Sequence, residues 1–582
     1  MDAQPLFGIW DYVVIAIVLL ISSSIGIYYR FTGGKQKTAK EYLLADKNMS
    51  ITPVAFSLMA SFMSAITLLG VSSENYSYGI QFIVINFSYG VFTFIAAYYY
   101  LPVFFKLQAT SAYEYLERRF GKTARLAASL SYTLQMTLYM GVVLYAPALV
   151  LEALTGISKL AAILSVGIVC TFYSTIGGMK AVLVTDVFQS LLMFAAIFCV
   201  IINGWVEKGS LGEIWRIAEE HNRTTLDNFS PDPTVRHTWF TLIIGGGITY
   251  LSLYGVNQTQ VQRYLTVKDL KTAQKALWWN WPILTLLSLS TSFSGLVIFS
   301  RYFKCDPVLS KRINSADQLL PYYVVDTMGD IPGLSGLFVA GIFSASLSTI
   351  SASLNSLAAI TVEDYIKPLH LAIRKKPLSE TVSAVQLKLL SLVYGAVCIA
   401  VAFLAQFLGG LLQAALTIFG VVGGPLLGLF SLGMFTTMAN EEGSVCGLVI
   451  GVGMALWMAL GAKPPVPLRR RVDGCENANV TLPTASTQPE KTYLWIHRVS
   501  YLYNGLFGLL LTVIIGLLVS FAVNKLSKRP RRTYDPNLFI PPLARALEKK
   551  FGNTMKLTTI EGLTSTSTEN LQNGHAIKTE VN

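Results

Sequence analysis

The chain has 582 residues, of which 53% are hydrophobic and only 13% are charged, and its formal net charge is +12. Soluble domains carry about a quarter charged residues, so the composition excludes a purely soluble protein and predicts a polytopic membrane protein. The basic residues cluster in loops rather than on one face, which indicates membrane topology and argues against nucleic-acid binding.

Hydrophobic segments of about twenty residues recur along the chain, each long enough to cross a bilayer as a helix. The first, at 11–29, is too long for the hydrophobic core of a signal peptide, so we expect a retained membrane span. The pattern predicts an all-α polytopic membrane protein with about 13 transmembrane helices. Numbered in chain order, the predicted spans are 11–29, 52–71, 81–105, 126–150, 159–178, 184–204, 239–258, 277–300, 334–362, 388–408, 411–435, 443–462 and 500–523.

The loop charges predict how the chain crosses the membrane. The loops rich in Lys and Arg all follow odd-numbered spans and therefore lie on one side. The positive-inside rule makes that side the cytoplasm, which predicts a multi-pass plasma-membrane protein with an extracellular N-terminus and a cytoplasmic C-terminus. Basic residues of these loops include Lys35, Lys122, Arg263, Lys375 and Arg531.

Two kinds of residue fall on the predicted outer side. Asn222, Asn228 and Asn479 stand in Asn-x-Ser/Thr sequons, and we expect glycosylation there. Cys305 and Cys475 also lie in outer loops, where a disulfide can form. Pairing of these cysteines and two unpaired thiols both remain open.

Spans 2–6 and 7–11 form two blocks of five. Because five is odd, the second block starts from the opposite side of the membrane, as in transporters built from inverted repeats. The domain boundaries that follow are 1–50 for the first span and a cytoplasmic loop, 51–204 for the first repeat, 205–238 for an extracellular loop, 239–436 for the second repeat, 437–523 for spans 12 and 13 with a glycosylatable outer loop, and 524–582 for a cytoplasmic, disordered tail.

Inverted-repeat transporters hold their sites at broken helices. Span 7 contains Gly245, Gly246 and Gly247, which permit a helix break but also close packing of a neighbouring helix. Both interpretations stay open. Span 2 has no central Gly or Pro, so a break there is not visible in the sequence.

The segment 341–360 is apolar enough to span a membrane, yet it is rich in hydroxyls. On a helix, Ala345, Ser348 and Thr349 share one face and present two hydroxyls and a carbonyl. Such oxygens suit sodium, a small hard cation, although membrane hydroxyls also bond to their own helix. Mid-membrane carboxylates are scarce, which disfavours a proton relay, and no cluster of nucleophile, base and metal ligands indicates an enzyme.

At this point the chain resembles the solute:sodium symporter family, closest to its monocarboxylate, multivitamin and iodide branch. The resemblance implies a LeuT-type core of 5+5 inverted repeats and a sodium site made by the carbonyls of Ala60, Met63 and Ala345 and the hydroxyls of Ser348 and Thr349. The matching stretches are ASFMSAITLLG (60–70), TSAYEYLERRF (110–120), LYMGVVLYAPAL (138–149), GGMKAVLVTDVFQ (177–189), LYGVNQTQVQRY (253–264), SLSTISASLNSLAAITVEDYIKP (346–368) and GVVGGPLLGLFSLGMF (420–435).

The same resemblance implies a second sodium position, found in part of the family, at Ser61, Asp186 and Gln189. For Asp186 an intracellular salt bridge or a helix N-cap is an equal alternative. Tyr254 matches an aromatic that covers the substrate from the inside, and its alternative is ordinary aromatic packing.

The resemblance also implies a pocket lined by Thr67, Tyr250 and Leu416. Family members with iodide as solute resemble this stretch but have Gln in place of Thr67. We therefore expect a sodium-coupled symporter that imports a small organic anion, either a monocarboxylate such as lactate or nicotinate or a vitamin such as biotin or pantothenate. Sodium is the only metal expected, without an organic cofactor, and the other partners are the solute and the bilayer. An iodide or sugar-type symporter, a channel or uniporter, and a non-transporting sensor remain alternatives.

Overall fold

The computed structural model describes residues 7–31, 43–108, 110–176, 179–407, 409–475, 493–527 and 535–550, and within these ranges every regular element is helical. Among the described residues, ten helices are long and apolar enough to cross a membrane, and three predicted spans coincide with the shorter apolar helices Ile51–Ala60, Lys159–Thr175 and Thr241–Tyr254. The all-α membrane fold is thus confirmed, while the count of 13 stays a prediction.

The principal helices are labelled in chain order. They are α1 Ile9–Phe31, α2 Ile51–Ala60, α3 Ser72–Tyr78, α4 Ile85–Ile95, α5 Leu101–Leu107, α6 Glu114–Arg119, α7 Lys122–Thr155, α8 Lys159–Ile176, α9 Met179–Lys208, α10 Leu211–Glu220, α11 Gly246–Tyr254, α12 Gln258–Tyr264, α13 Leu270–Tyr302, α14 Leu319–Met328, α15 Leu334–Ile360, α16 Lys367–Arg374, α17 Glu380–Ala405, α18 Leu411–Ile418, α19 Gly424–Phe435, α20 Glu441–Leu460 and α21 Asn504–Leu526. Short π-helical turns precede α3, α11 and α19.

Two helices are interrupted, in spans 2 and 7, the first of each predicted block. Residues 61–64 separate α2 from the next helical turn, and residues 255–257 separate α11 from α12. The two breaks lie against each other, because the carbonyl of Leu58 accepts hydrogen bonds from Tyr254 (3.2 Å) and Gln260 (2.9 Å). Backbone groups freed by a helix break must find partners inside a membrane protein, and side chains of the other break provide them.

The three glycines of span 7 lie inside the helix and not at its break. A Cβ at Gly246 would lie 2.6 Å from Ile85, and one at Gly247 would lie 2.0 Å from Phe92. At Gly245 a Cβ would lie 2.6 Å from the carbonyl of Leu502. The structure therefore supports close helix packing, and not a helix break, as the role of these glycines.

The helix α15 is buried along nearly its whole length and packs along α9 and α7. Its hydroxyls therefore face protein and not lipid. The helices α20 and α21 pack mainly on each other and on α19, at the edge of this core.

The predicted disorder of the tail 524–582 is wrong for residues 535–550, which the structure describes. Phe539 is only 1% exposed, and the backbone N–H of Ile540 donates to the carbonyl of Met434 at the end of α19 (3.2 Å). Residues 541–550 are helical and bury part of their apolar face. The physical reason is that this stretch carries enough apolar side chains to bury, unlike a solvated tail.

Candidate functional site

The predicted sodium ligands meet where α2 ends against α15. The hydroxyl of Thr349 lies 3.2 Å from the carbonyl oxygen of Ala60 and 3.1 Å from that of Ala345. Ser348 lies next to Thr349, and all four residues are fully buried. Met63 lies in the unwound turn that follows α2 and lines the neighbouring cavity. The hydroxyl of Thr349 and the carbonyl oxygens of Ala60 and Ala345 thus lie together at one buried point between two helices, and neutral oxygens of this kind suit sodium.

Asp186 lies inside α9, so it is not a helix N-cap. Its carboxylate accepts hydrogen bonds from the hydroxyls of Ser57 and Ser348, the latter at 2.5 Å. The guanidinium of Arg263 lies 3.6 Å away, and both residues of this ion pair are fully buried. A buried ion pair is stable only with further hydrogen bonds, and the two hydroxyls and the carbonyl of Thr259, which accepts from Arg263 (2.8 Å), supply them.

Two other predicted members of the second sodium position lie beside Asp186 without bonding it directly. The hydroxyl of Ser61 donates to the carbonyl of Ser57 (2.5 Å). Gln189, one turn after Asp186, is fully buried, and neither of its amide atoms has a hydrogen-bond partner within the described structure. Sequence reasoning missed Ser57 and treated Arg263 as a loop charge. The segment NQTQVQ that precedes it is polar, so no local signal marked this arginine as buried.

All four residues predicted to line a substrate pocket lie around one cavity. Thr67, Tyr250, Tyr254 and Leu416 line it, together with Met63. The cavity therefore lies directly beside the unwound turn after α2. Residues missed by the sequence include Phe62, Tyr89, Tyr139, Thr249, Ser288 and Phe419.

Aromatic rings form much of the cavity wall. Tyr250 stacks on Tyr254 with ring centroids 4.3 Å apart, and Tyr89 stacks on Tyr250 at 5.1 Å. Tyr139 and Phe419 meet at 4.5 Å. The hydroxyl of Tyr254 also donates to α2, so Tyr254 is both a packed aromatic and a bridge between the broken helices. Such a wall suits an amphipathic solute of modest size.

The cavity wall offers hydroxyls but no ionisable acid or base. Among the described residues that line it, none is Lys, Arg, His, Asp or Glu. The side chains with hydroxyl groups are Ser64, Thr67, Tyr89, Tyr139, Thr249, Tyr250, Tyr254 and Ser288. A charged solute in this cavity would need its counter-charge from a bound ion or from helix dipoles.

The structure describes four of the five residues that the sequence predicts to lie outside. Cys305 and Cys475 form a disulfide with a Cα–Cα distance of 5.0 Å, so the structure has the paired form of the two alternatives. Asn222 is exposed, whereas Asn228 is half-buried and donates to the carbonyl of His237 (3.2 Å). Asn479 lies outside the described residues.

Comparison with known proteins places this site in context. Residues 42–451 match the model of the sodium:solute symporter family. The chain is 55% identical to the putative sodium-dependent multivitamin transporter of Drosophila melanogaster over 96% of this chain and 95% of that protein. It is 45% identical to human sodium-coupled monocarboxylate transporter 1 (89% and 87% covered) and 40% identical to the human sodium/iodide cotransporter (93% and 87% covered).

Solved structures share the architecture. The structure of a Na⁺-coupled sialic acid symporter in a substrate-bound outward-open state matches with a TM-score of 0.73 at 26% identity, covering 89% of this chain and 98% of that one. Mhp1, a nucleobase-cation-symport-1 family transporter, matches with a TM-score of 0.51 at 13% identity, covering 86% and 97%. The predicted LeuT-type fold is therefore confirmed.

Proposed function

The chain belongs to the sodium:solute symporter family, and on this premise we propose that it imports a small organic anion with sodium across the plasma membrane by alternating access. The solute is a monocarboxylate such as lactate or nicotinate, or a vitamin such as biotin or pantothenate. The names of its multivitamin and monocarboxylate relatives support this solute class. Membership of a transporter family also makes the chain a carrier and not an enzyme.

One observation carries the proposal: the hydroxyl of Thr349, inside α15, bonds both to the carbonyl at the end of α2 and to the carbonyl of Ala345 in its own helix, beside the cavity. Sodium bound by Ala60, Ala345, Ser348 and Thr349 would replace this bridge with ion–oxygen contacts. Because α2 ends at Ala60, the ion would order the unwound turn that contains Met63 and lines the cavity. Sodium binding would thereby complete the solute site, which couples the two binding events.

The charge of the solute bears on the number of sodium ions. A monovalent anion with one sodium is neutral, so the membrane potential contributes nothing and a tenfold sodium gradient sustains only about tenfold accumulation. A second sodium adds one net charge, worth about 2.3 kcal/mol per 100 mV, and a second gradient step of about 1.4 kcal/mol. Together these allow accumulation of about three to four orders of magnitude. Uptake against a steep gradient therefore requires a second ion.

We place the second sodium at Asp186. Its carboxylate is the buried anionic group beside the first site, linked to it through Ser348. The buried amide of Gln189 lies one turn away and offers a further oxygen. Arg263 at 3.6 Å offsets part of the carboxylate charge, which would keep binding weak enough for release to the cytoplasm.

The orientation of the chain rests on two independent features. The basic loops follow odd-numbered spans, and the disulfide between Cys305 and Cys475 lies on the opposite side, where an oxidising environment preserves it. Both features support an extracellular N-terminus and a cytoplasmic C-terminus.

The proposal is tested by uptake of labelled lactate, nicotinate, biotin, pantothenate and iodide in cells that express the chain, with sodium and then with choline. We expect sodium-dependent, electrogenic uptake of one of the four organic anions. Uptake of iodide alone would overturn the solute class. Uptake indifferent to sodium would overturn symport, and absence of uptake despite expression at the cell surface would favour a sensor.

A further inference from the structure

A compact polar cluster lies next to the cavity, at the end that the proposed topology places outside. It consists of Glu74 on α3, Arg236 and His237 before the π-helical turn of span 7, Gln413 on α18 and Tyr501. Three of these have close sequence neighbours, Val71, Leu412 and Leu502, that line the cavity. These neighbours place the cluster directly beside the cavity wall on the predicted outer side.

Arg236 is the centre of the cluster. Its Nε and Nη2 groups donate to the two carboxylate oxygens of Glu74, at 2.7 and 3.0 Å. Its guanidinium lies between the rings of Tyr78 (4.3 Å) and Tyr501 (4.6 Å). His237 also approaches Glu74, at 3.1 Å. The side chain of Arg236 is only 17% exposed, so its position and orientation are held from several sides.

The charges in this cluster persist at neutral pH. Burial raises the pKa of Glu74, but Arg236 and His237 outweigh this effect and bring its pKa to about 2. Burial lowers the pKa of His237 despite the neighbouring carboxylate. At neutral pH the cluster is therefore one ion pair beside a neutral imidazole.

One of the contacts of Arg236 is weaker than the others. Its Nη1 group donates to the amide oxygen of Gln413, a neutral acceptor, at 2.9 Å. A carboxylate is a stronger acceptor for a guanidinium than an amide is. An anionic solute could therefore displace Gln413 while the Glu74 pair keeps Arg236 in place.

Gln413 lies on the element best suited to move. The helix α18 has 8 residues and follows Gly410, where an added Cβ would meet only open space. At its other end the π-helical turn Phe419–Gly423, which contains two glycines, joins it to α19 within one continuous helix Leu411–Phe435. It covers the cavity with Leu412 and Leu416. Displacement of α18 would therefore break the Arg236–Gln413 hydrogen bond and open the cavity at the same time.

We propose that Arg236 selects anionic solutes at the outer mouth of the cavity, with Gln413 as its partner when α18 is closed. An arriving carboxylate takes the place of Gln413 on Nη1, passes into the cavity, and Gln413 then returns to Arg236. This inference rests on the proposed import of an anion. It explains how a cavity wall without a cationic side chain admits anions selectively, because the selection occurs before the cavity.

The test measures entry by charge and does not depend on transport. Thr67→Cys places a thiol on the cavity wall, in a chain whose exposed Cys446 is changed to Ser, and the same chain with native Thr67 is the blank. Thiosulfonate reagents of similar size, one bearing a sulfonate and one a trimethylammonium group, are applied from outside. The rate at which the sulfonate reagent modifies the thiol is divided by the rate for the trimethylammonium reagent, and this ratio is normalised to the same ratio measured with free cysteine.

We expect the sulfonate reagent to be favoured, and Arg236→Gln to lower the normalised ratio by about tenfold, the low end of electrostatic rate effects. Gln413→Glu should slow both reagents because it adds an ion pair to the closed form, whereas Gln413→Leu should accelerate both. Arg216→Gln, an exposed arginine outside the cluster, is the matched control and should change nothing.

A ratio unaffected by Arg236→Gln in protein at the cell surface would overturn the inference. If Arg236→Gln does not reach the cell surface, the inference is tested with Arg236→Lys and the two Gln413 variants instead. Unchanged reagent rates in both Gln413 variants would also overturn the inference. Failure of anion uptake in the native chain, with the reagent selectivity intact, would instead overturn the proposed function alone.

Discussion

Replacing Thr349 by Val tests the sodium site most directly. The change keeps the branched shape of the side chain and removes the hydroxyl that lies 3.2 Å from the Ala60 carbonyl and 3.1 Å from the Ala345 carbonyl. One lost hydrogen bond costs about 0.5–1.5 kcal/mol of stability, so the variant should still fold and reach the membrane.

The effect on sodium should be larger than the effect on folding. An oxygen that interacts with a charged group contributes about 1.5–3 kcal/mol. The sodium concentration for half-maximal uptake should therefore rise about ten- to hundredfold, since about 1.4 kcal/mol corresponds to a factor of ten. Thr349→Ser, which keeps the oxygen, should remain within a few fold of the native chain.

The assay is uptake as a function of sodium concentration, normalised to protein at the cell surface. Sodium-induced thermal stabilisation of the purified protein gives a second readout that needs no known solute. Ser351→Ala is the matched control, because its hydroxyl bonds within its own helix, to Ser348 (3.1 Å). An unchanged sodium dependence in Thr349→Val, or an equal shift in Ser351→Ala, would refute the assignment.

Three further expectations concern other parts of the chain. Asp186→Asn leaves the Arg263 charge buried without its partner, at a cost of about 3–5 kcal/mol, and should reduce surface expression. The double variant with Arg263→Gln should recover expression but show first-order instead of second-order sodium dependence, and a Hill coefficient that stays near two would contradict the second site. Deleting the chain from 535 onward should lower the melting temperature of the purified protein, because each fully buried apolar side chain contributes about 1.5–3 kcal/mol, whereas deleting only the residues beyond 550 should leave it unchanged. Asn222→Gln should reduce a glycosidase-sensitive gel shift that Asn228→Gln leaves at its native size, since the Asn228 amide is half-buried and already bonded; a reduction in Asn228→Gln and none in Asn222→Gln would contradict the described exposure of the two side chains.

Local properties of the sequence predicted much of the fold. Hydropathy over about twenty residues located the membrane spans, because a helix that crosses lipid must be apolar along that length. Helical periodicity placed Ala345, Ser348 and Thr349 on one face, and the structure keeps them there. The sequence alone could not decide whether particular residues contact each other, for example whether Cys305 and Cys475 form a disulfide.

Other features depend on contacts between distant parts of the chain. The break after Ala60 has no Gly or Pro to mark it. The side chains that donate hydrogen bonds to its freed carbonyl oxygens are distant in sequence. Thr349 bonds to Ala60 across 289 residues, and Gln260 bonds to Leu58 across 202. A helix can end without a local breaker when such partners replace its own hydrogen bonds.

The sequence by itself therefore determined that the chain is an all-α membrane protein and placed the hydroxyls of α15 on one face, since these follow from composition and periodicity. Only the tertiary structure decided which charges meet. Arg236 contacts Glu74 and Gln413, which are 162 and 177 residues away in sequence. Arg263, which the sequence placed in a cytoplasmic loop, is buried and pairs with Asp186. Such pairs form because burial of a charge is tolerated only beside a partner, and the packing of helices remote in sequence selects that partner.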